Sequence, residues 1–282
     1  MMSKTILIPS DFSNNALVAT RYALDLAKQL GANLHILHAY SSFNSAFQSQ
    51  SVNETDATRA QSDAENNMGE FLGKVGDSKN VTITTSLLKD SLTDAVEAYL
   101  NTNTTVCLMI MGTHGASGTR KDILGSNTYD IAKSVNIPLL IVPEHASSFH
   151  LERVAFFTDY QNQDIATLQS LKNLLDGQEL PCTLVHITQL KDSSLQEQVA
   201  LLSNWSKKLS QTVGYANLNT ELVSNKEDIT IVDTALDRLS ADLCLLTVVG
   251  GRSFFEKLFH KSLAREIILN PKVPVLLTSG HR

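Results

Sequence analysis

Short apolar runs alternate along the chain with segments in which apolar residues recur every three or four positions. Ile6-Leu7-Ile8 is the first run, and Ala16, Ala19, Ala23, Leu26, Ala27 and Leu30 follow at helical steps. Ser13 stands where an N-cap belongs and Gly31 where a left-handed C-cap belongs. Leu34 to Ala39 is a second strand, so the first β-α-β unit implies parallel strands joined by a right-handed crossover. Ser41 to Asn53 is rich in Ser, Asn and Gln and reads as a polar flap or a solvated connection at the carboxyl end of that strand. Helical spacing resumes near Asp56 and runs through Ala60, Ala64, Met68 and Phe71 to Gly76. Val81 to Leu88 predicts a third strand, Ser91 with Asp94 a capping box, and Leu92, Ala95, Val96 and Tyr99 a third helix. Val106 to Met111, apolar without a break, predicts a strand covered on both faces. A helix from Ser126 then ends before Pro138, Ile137 to Val142 predicts a fifth strand, and Pro143 to Leu151 reads as a linker.

The pattern then repeats. Thr158-Asp159-Tyr160 follows the apolar run Val154 to Phe157 as Ser10-Asp11-Phe12 follows the first strand, and 159 minus 11 gives an offset of 148. His186 minus His38 gives 148 again, while Pro274, within Val273 to Leu277, lies 136 after Pro138. The second copy is therefore twelve residues shorter between these anchors, in the region of the polar flap. A tandem duplication accounts for both offsets.

Between the fourth strand and its helix lies Gly112-Thr-His-Gly-Ala-Ser-Gly-Thr-Arg-Lys-Asp-Ile-Leu-Gly-Ser126. Glycines at a strand-to-helix connection bring backbone N–H groups close to an anion, and the helix N-terminus adds partial positive charge. Arg120 and Lys121 could add full charges, and His114 could touch a phosphate. A P-loop would need Gly-Lys-Ser/Thr where this chain has Gly125-Ser126-Asn127, and the Gly-x-Gly of a dinucleotide fingerprint is missing after the first strand. Taken alone, such glycines could equally serve turns.

The spacing Gly112, two residues, Gly115, nine residues, Gly125-Ser126 resembles the signature of the nucleotide-binding branch of the universal stress protein family. The resemblance covers essentially the whole chain and implies two tandem doubly wound domains, each with a five-stranded parallel sheet. Residues 1–146 form the copy with the intact motif and 147–282 the copy with a degenerate one. It further implies an adenine-nucleotide site in the crevice between the first and fourth strands. Pro9 and Asp11 would lie beside the adenosine part, Ala39 and Tyr40 at the adenine, and Gly112, His114, Gly115, Arg120, Gly125, Ser126 and Asn127 at ribose and phosphates. The implied ligand is ATP or AMP, with Mg2+ where ATP is bound. The implied role is a regulatory or stress-response nucleotide binder, with a nucleotide-independent scaffold or a slow ATPase as the alternatives. No catalytic residue is assigned, since no base-nucleophile-orienter set assembles around His114.

Shifting the cradle by 136 places Val248, Gly251, Lys261 and Ser262 opposite Gly112, Gly115, Gly125 and Ser126. Branched and long side chains there remove the close backbone approach, so the second copy is expected to stay empty. His35 and His38 sit an odd number of residues apart on a strand and face opposite ways, which argues against a shared metal, and His38 reads as a hydrogen-bonded core residue. Trp205 reads as a packing or interface residue.

Composition narrows these readings. The 282 residues are 43% hydrophobic, enough for a sizeable core, and no apolar run approaches the roughly 20 residues of a membrane span. With no signal-like N-terminus, a cytoplasmic location is expected. A net charge of -6 without a basic run argues against nucleic acid. Three cysteines without a C-x-x-C suggest neither a disulfide framework nor a zinc site. A homodimer or an unidentified protein partner stays open.

Overall fold

The computed structural model describes residues 4–42, 49–113, 128, 131, 136–146, 149–188, 195–224, 229–248, 267–268 and 271–279. The chain packs as two units, residues 1–135 with 147–149 and residues 136–146 with 150–282.

In the first unit the described elements are β1 (Thr5–Pro9), α1 (Asn14–Leu30), β2 (Asn33–Tyr40), α2 (Gln50–Val75), β3 (Ile83–Lys89), α3 (Leu92–Thr102) and β4 (Val106–Gly112). The strands lie in the order β3-β2-β1-β4, all parallel. Chain order reverses between β1 and β4, so the switch point of the sheet falls between their carboxyl ends. Ile6, Leu7 and Ile8 of β1 and Leu108, Met109 and Ile110 of β4 are fully buried, as expected for central strands covered on both faces. The caps of α1 are as the sequence predicts: Ser13 Oγ accepts from the Ala16 N–H at 3.2 Å, and Gly31 is left-handed with φ 60°.

Two local expectations change. Helix α2 begins at Gln50, six residues before Asp56, because Ser49 caps it and the polar residues that follow solvate a surface helix well. Thr55, for example, returns its hydroxyl to Ser51 O at 2.8 Å. At α3, Ser91 Oγ accepts from the Asp94 N–H at 3.2 Å and donates to Asp94 Oδ2 at 2.6 Å. The Ser91 N–H goes to Asp90 instead, so only half of the capping box forms.

The second unit contains β5 (Leu139–Val142), β6 (Val154–Phe157), α4 (Asp164–Leu174), β7 (Cys182–Thr188), α5 (Leu195–Val213), β8 (Leu218–Ser224), α6 (Ile229–Leu239), β9 (Leu243–Val248) and β10 (Val275–Ser279). Its strand order is β5-β10-β9-β6-β7-β8. The α/β class with a mostly parallel sheet is as predicted, but the strand partition is not. β5, expected as the fifth parallel strand of the first copy, runs antiparallel to β10 with Leu140 opposite Leu276. Its four residues are all buried and pair where they find an apolar strand edge, whichever copy encodes them. The packing boundary thus leaves residues 136–146 with the second unit rather than following the repeat boundary at 146.

The duplication extends to individual hydrogen bonds. In the first unit the Ser10 N–H donates to Leu37 O at 2.9 Å, His38 Nδ1–H donates to Ser10 O at 2.7 Å, and the His38 ring lies 4.1 Å from that of Phe12. In the second, the Thr158 N–H donates to Val185 O at 2.9 Å, His186 Nδ1–H to Thr158 O at 2.8 Å, and the His186 ring lies 4.3 Å from Tyr160. Phe12 and Tyr160 both hold positive φ, 62° and 59°. Each aromatic residue is kept in that costly conformation by its ring contact with the matching histidine.

Candidate functional site

The turn from β1 into α1 is built by short side chains that satisfy its backbone. Ser10 Oγ accepts from the Phe12 N–H and Asp11 Oδ1 from the Ser13 N–H, both at 3.1 Å, before Ser13 caps the helix. One oxygen of Asp11 therefore holds the loop in shape, which is the ordinary job of such an Asp in a turn. Its side chain remains partly exposed at the switch point. Pro9 ends β1 and is buried, in register with Leu37. Ala39 and Tyr40 end β2 beside Leu88 and Lys89, half-exposed at the carboxyl edge of the sheet.

Gly112 ends β4 on the other side of the switch point. A Cβ placed on it would lie 3.0 Å from Asn15 O and 3.1 Å from Asn15 C and Cβ, so the strand end presses onto the first turn of α1. Its φ is not left-handed, and what excludes a side chain is space. The next residue, Thr113, is buried, and Thr128, also buried, donates its hydroxyl to Gly112 O at 3.4 Å. The end of β4 thus lies against the first turn of α1, whose partial positive charge suits an anion. His114, Gly115, Arg120, Gly125, Ser126 and Asn127 lie outside the described residues.

Of the predicted set, the structure brings Pro9, Asp11 and Gly112 to one switch point and sets Ala39 and Tyr40 one strand away. Sequence reasoning missed Asn15, which crowds any side chain at 112. It also missed the left-handed Phe12, whose ring packs on His38 and lies 5.5 Å from that of Phe71.

His35 and His38 do diverge. Thr84 gives its hydroxyl hydrogen to Leu34 O at 3.3 Å, so it accepts from His35 Nδ1–H at 2.8 Å, and Ser86 donates to His35 Nε2 at 2.9 Å. Burial lowers the pKa of His35 to about 4, and the ring stacks on Tyr99 at 4.1 Å. Among the described residues no group of three His, Cys, Asp or Glu side chains is placed to hold a metal ion. No described helix is long and apolar enough to cross a membrane.

A parallel sheet with its switch point beside a helix N-terminus and a crowded glycine at the strand end defines a doubly wound α/β fold. The universal stress protein family model matches residues 2–143, just over half of the chain, and the chain belongs to that family. It is similar to a universal stress protein from Archaeoglobus fulgidus DSM 4304 at 16% identity and TM-score 0.71, with all of both chains covered. It is also similar to a functionally unknown protein from Pseudomonas aeruginosa PAO1, at 15% identity and TM-score 0.58, over 99% of this chain and 93% of that one. At these identities the likeness shows the fold alone. A universal stress protein from Archaeoglobus fulgidus in complex with dAMP aligns with 45% of this chain and 97% of its own, at 19% identity and TM-score 0.33. The nucleotide there is a property of that protein. No curated protein sequence matches the chain at a significant level.

Proposed function

We propose that the first unit binds an adenine nucleotide, ATP with Mg2+ or AMP, and that the chain acts as a nucleotide-dependent regulatory protein of the stress response. The observation that carries this reading is the placement of Gly112. At the switch point, with its α-carbon against Asn15, it starts the glycine loop from a place beside the N-terminus of α1. Gly115, Gly125 and Ser126 would follow with backbone N–H groups for the phosphates, Arg120 and His114 with side chains, and Asn127 beside them. Asp11 and Pro9 would border the ribose, and the backbone of Ala39 and Tyr40 the adenine. Family membership of residues 2–143 supports this reading. We take the repeat boundary at 146/147, with the second copy empty of nucleotide.

The reading is of a binder. A nucleotide-independent scaffold predicts a different outcome in the same test, which is mass spectrometry of nucleotide released from freshly purified protein. The proposal expects adenine nucleotide in wild type and none in Gly125→Lys, which copies into the first cradle the Lys261 of the second. Protein that releases no nucleotide and whose unfolding midpoint ignores added ATP, ADP, AMP and cyclic AMP would favour the scaffold.

A further inference from the structure

The carboxyl ends of β6, β9 and β10 meet the start of α4 at a buried polar cluster. Asp164, the first residue of α4, is 1% exposed. Its Oδ2 accepts from the Thr158 hydroxyl at 2.5 Å and from the Trp205 indole N–H at 3.3 Å, and its Oδ1 accepts from the Thr247 hydroxyl at 2.7 Å. Thr167 stands 2.9 Å from Thr247 and 2.5 Å from Thr278, closing the cluster. At the offset of 148 Asp164 and Thr167 correspond to Ala16 and Ala19, and at 136 Thr278 corresponds to Val142, all three apolar and buried, while the strand register sets Thr247 in the place of Gly112, where a side chain would likewise meet the start of the helix. Three polar residues thus stand where the first copy is apolar, in a core where an unsatisfied polar group costs about 1–3 kcal/mol. Such a set persists when its members satisfy one another.

The place of the cluster matters as much as its bonds. In the second unit chain order reverses between β6 and β9, so Thr158 and Thr247 mark the switch point, where sheets of this kind receive anionic ligands at a helix N-terminus. Gln163, ahead of α4, offers the helix no side-chain cap. We propose that the second unit is closed from within: the Asp164 carboxylate is a built-in anion that occupies this position and, through Trp205, fastens α5 to it.

Three side-chain donors and the Gln161 backbone N–H converge on two oxygens, and the indole can only donate, so the cluster has the chemistry of a receptor for one carboxylate. No described basic group pairs with Asp164. Lys208 of α5 lies over the Trp205 ring at 4.7 Å and donates to Asn162 at 3.2 Å, while Asp159 and His186 face each other at 3.8 Å at the ends of β6 and β7. Hydrogen bonds and the helix terminus therefore carry the charge. On balance burial raises the Asp164 pKa, with the bonds from Thr158, Thr247, Trp205 and the Gln161 backbone offsetting part of the rise. A negative charge here would repel a phosphate, which denies the second unit nucleotide independently of its altered glycine loop. Protonation weakens the acceptor facing the indole, so the hold on α5 weakens with it.

The experiment replaces the built-in anion by a free one. In full-length Asp164→Ala the donors of Thr158, Thr247 and Trp205 face a carboxylate-sized gap. Formate should raise the unfolding midpoint of the variant in a saturable way and shift the indole 15N–1H resonance of Trp205, the one tryptophan of the chain. Chloride at equal ionic strength should do neither, and wild type should ignore both salts. A folded variant that formate leaves unmoved overturns the proposal. If the variant does not fold, wild type decides: the Asp164 carboxyl 13C signal should report an ionised group at pH 7 and titrate together with the Trp205 indole. A protonated carboxyl at pH 7, or an indole that does not follow it, overturns the proposal equally. Nucleotide enters neither arm, so failure here leaves the reading of the first unit untouched.

Discussion

Gly112→Ala tests whether the first cradle glycine is demanded by packing before any ligand is bound. The added methyl would lie 3.0 to 3.1 Å from Asn15 O, C and Cβ. Two of those atoms are backbone within the first turn of α1, which Ser13 caps and whose Ala16, Ala19 and Ala23 are buried, so making room requires a shift of that turn. Overpacking of this kind costs about 1–3 kcal/mol. At roughly 2–4 °C per kcal/mol for a chain of this size, the unfolding transition of the first unit should fall by about 2 to 12 °C without nucleotide. Gly69→Ala is the matched control, because Gly69 lies on the exposed face of α2 with nothing within 4 Å of its added methyl. There the alanine should stabilise by about 0.5–1 kcal/mol through helix propensity. Calorimetry and urea unfolding of the two variants make the comparison. Gly112→Ala within 0.5 kcal/mol of wild type would refute the close packing of β4 on α1.

Ser13→Ala removes the N-cap of α1 and should cost about 1 kcal/mol, read from urea midpoints. Lys172 donates to Glu179 Oε1 at 3.0 Å and to the Gly214 carbonyl, while Glu179 also accepts from the Ala216 N–H at 2.6 Å. These bonds, that from Lys172 foremost, lower the Glu179 pKa, so its contribution is present above the ordinary Glu value and lost as pH falls through the lowered one. Lys172→Met should cost about 1–2 kcal/mol at pH 7 and flatten stability against pH in that acid window. His35 works in a higher window: with its folded pKa near 4, the stability linked to its neutral ring is complete above pH 6.5 and declines from there down through pH 4. NMR titration should show the ring neutral at pH 5, and a midpoint near 6.5 would contradict its burial between Thr84, Ser86 and Tyr99.

Fold class, element order and the repeat were legible because they rest on local periodicity and on pairs such as His38 and His186, whose backbone-bonded roles recur at a fixed offset. The place of β5 was not, since four apolar residues state that a strand is buried but not which edge receives it. Gly112 was legible as a required glycine while the reason was not, because Asn15 lies 97 positions away in sequence and meets it only through the fold. Trp205 was assigned to packing or an interface, yet its indole N–H bonds to Asp164. The signal is present in the repeat, where Asp164, Thr167 and Thr278 break a pattern that is apolar in the first copy.

If the first unit binds nucleotide through the loop that begins at Gly112, one nucleotide binds per chain. Calorimetric titration of full-length wild type and Gly125→Lys with Mg2+-ATP, repeated with AMP, should then give about one site in wild type and none in the variant. At 100 times the dissociation constant, ligand should add about 2.7 kcal/mol of stability to wild type only. Two equivalent sites in wild type, or undiminished binding in Gly125→Lys, would contradict this reading.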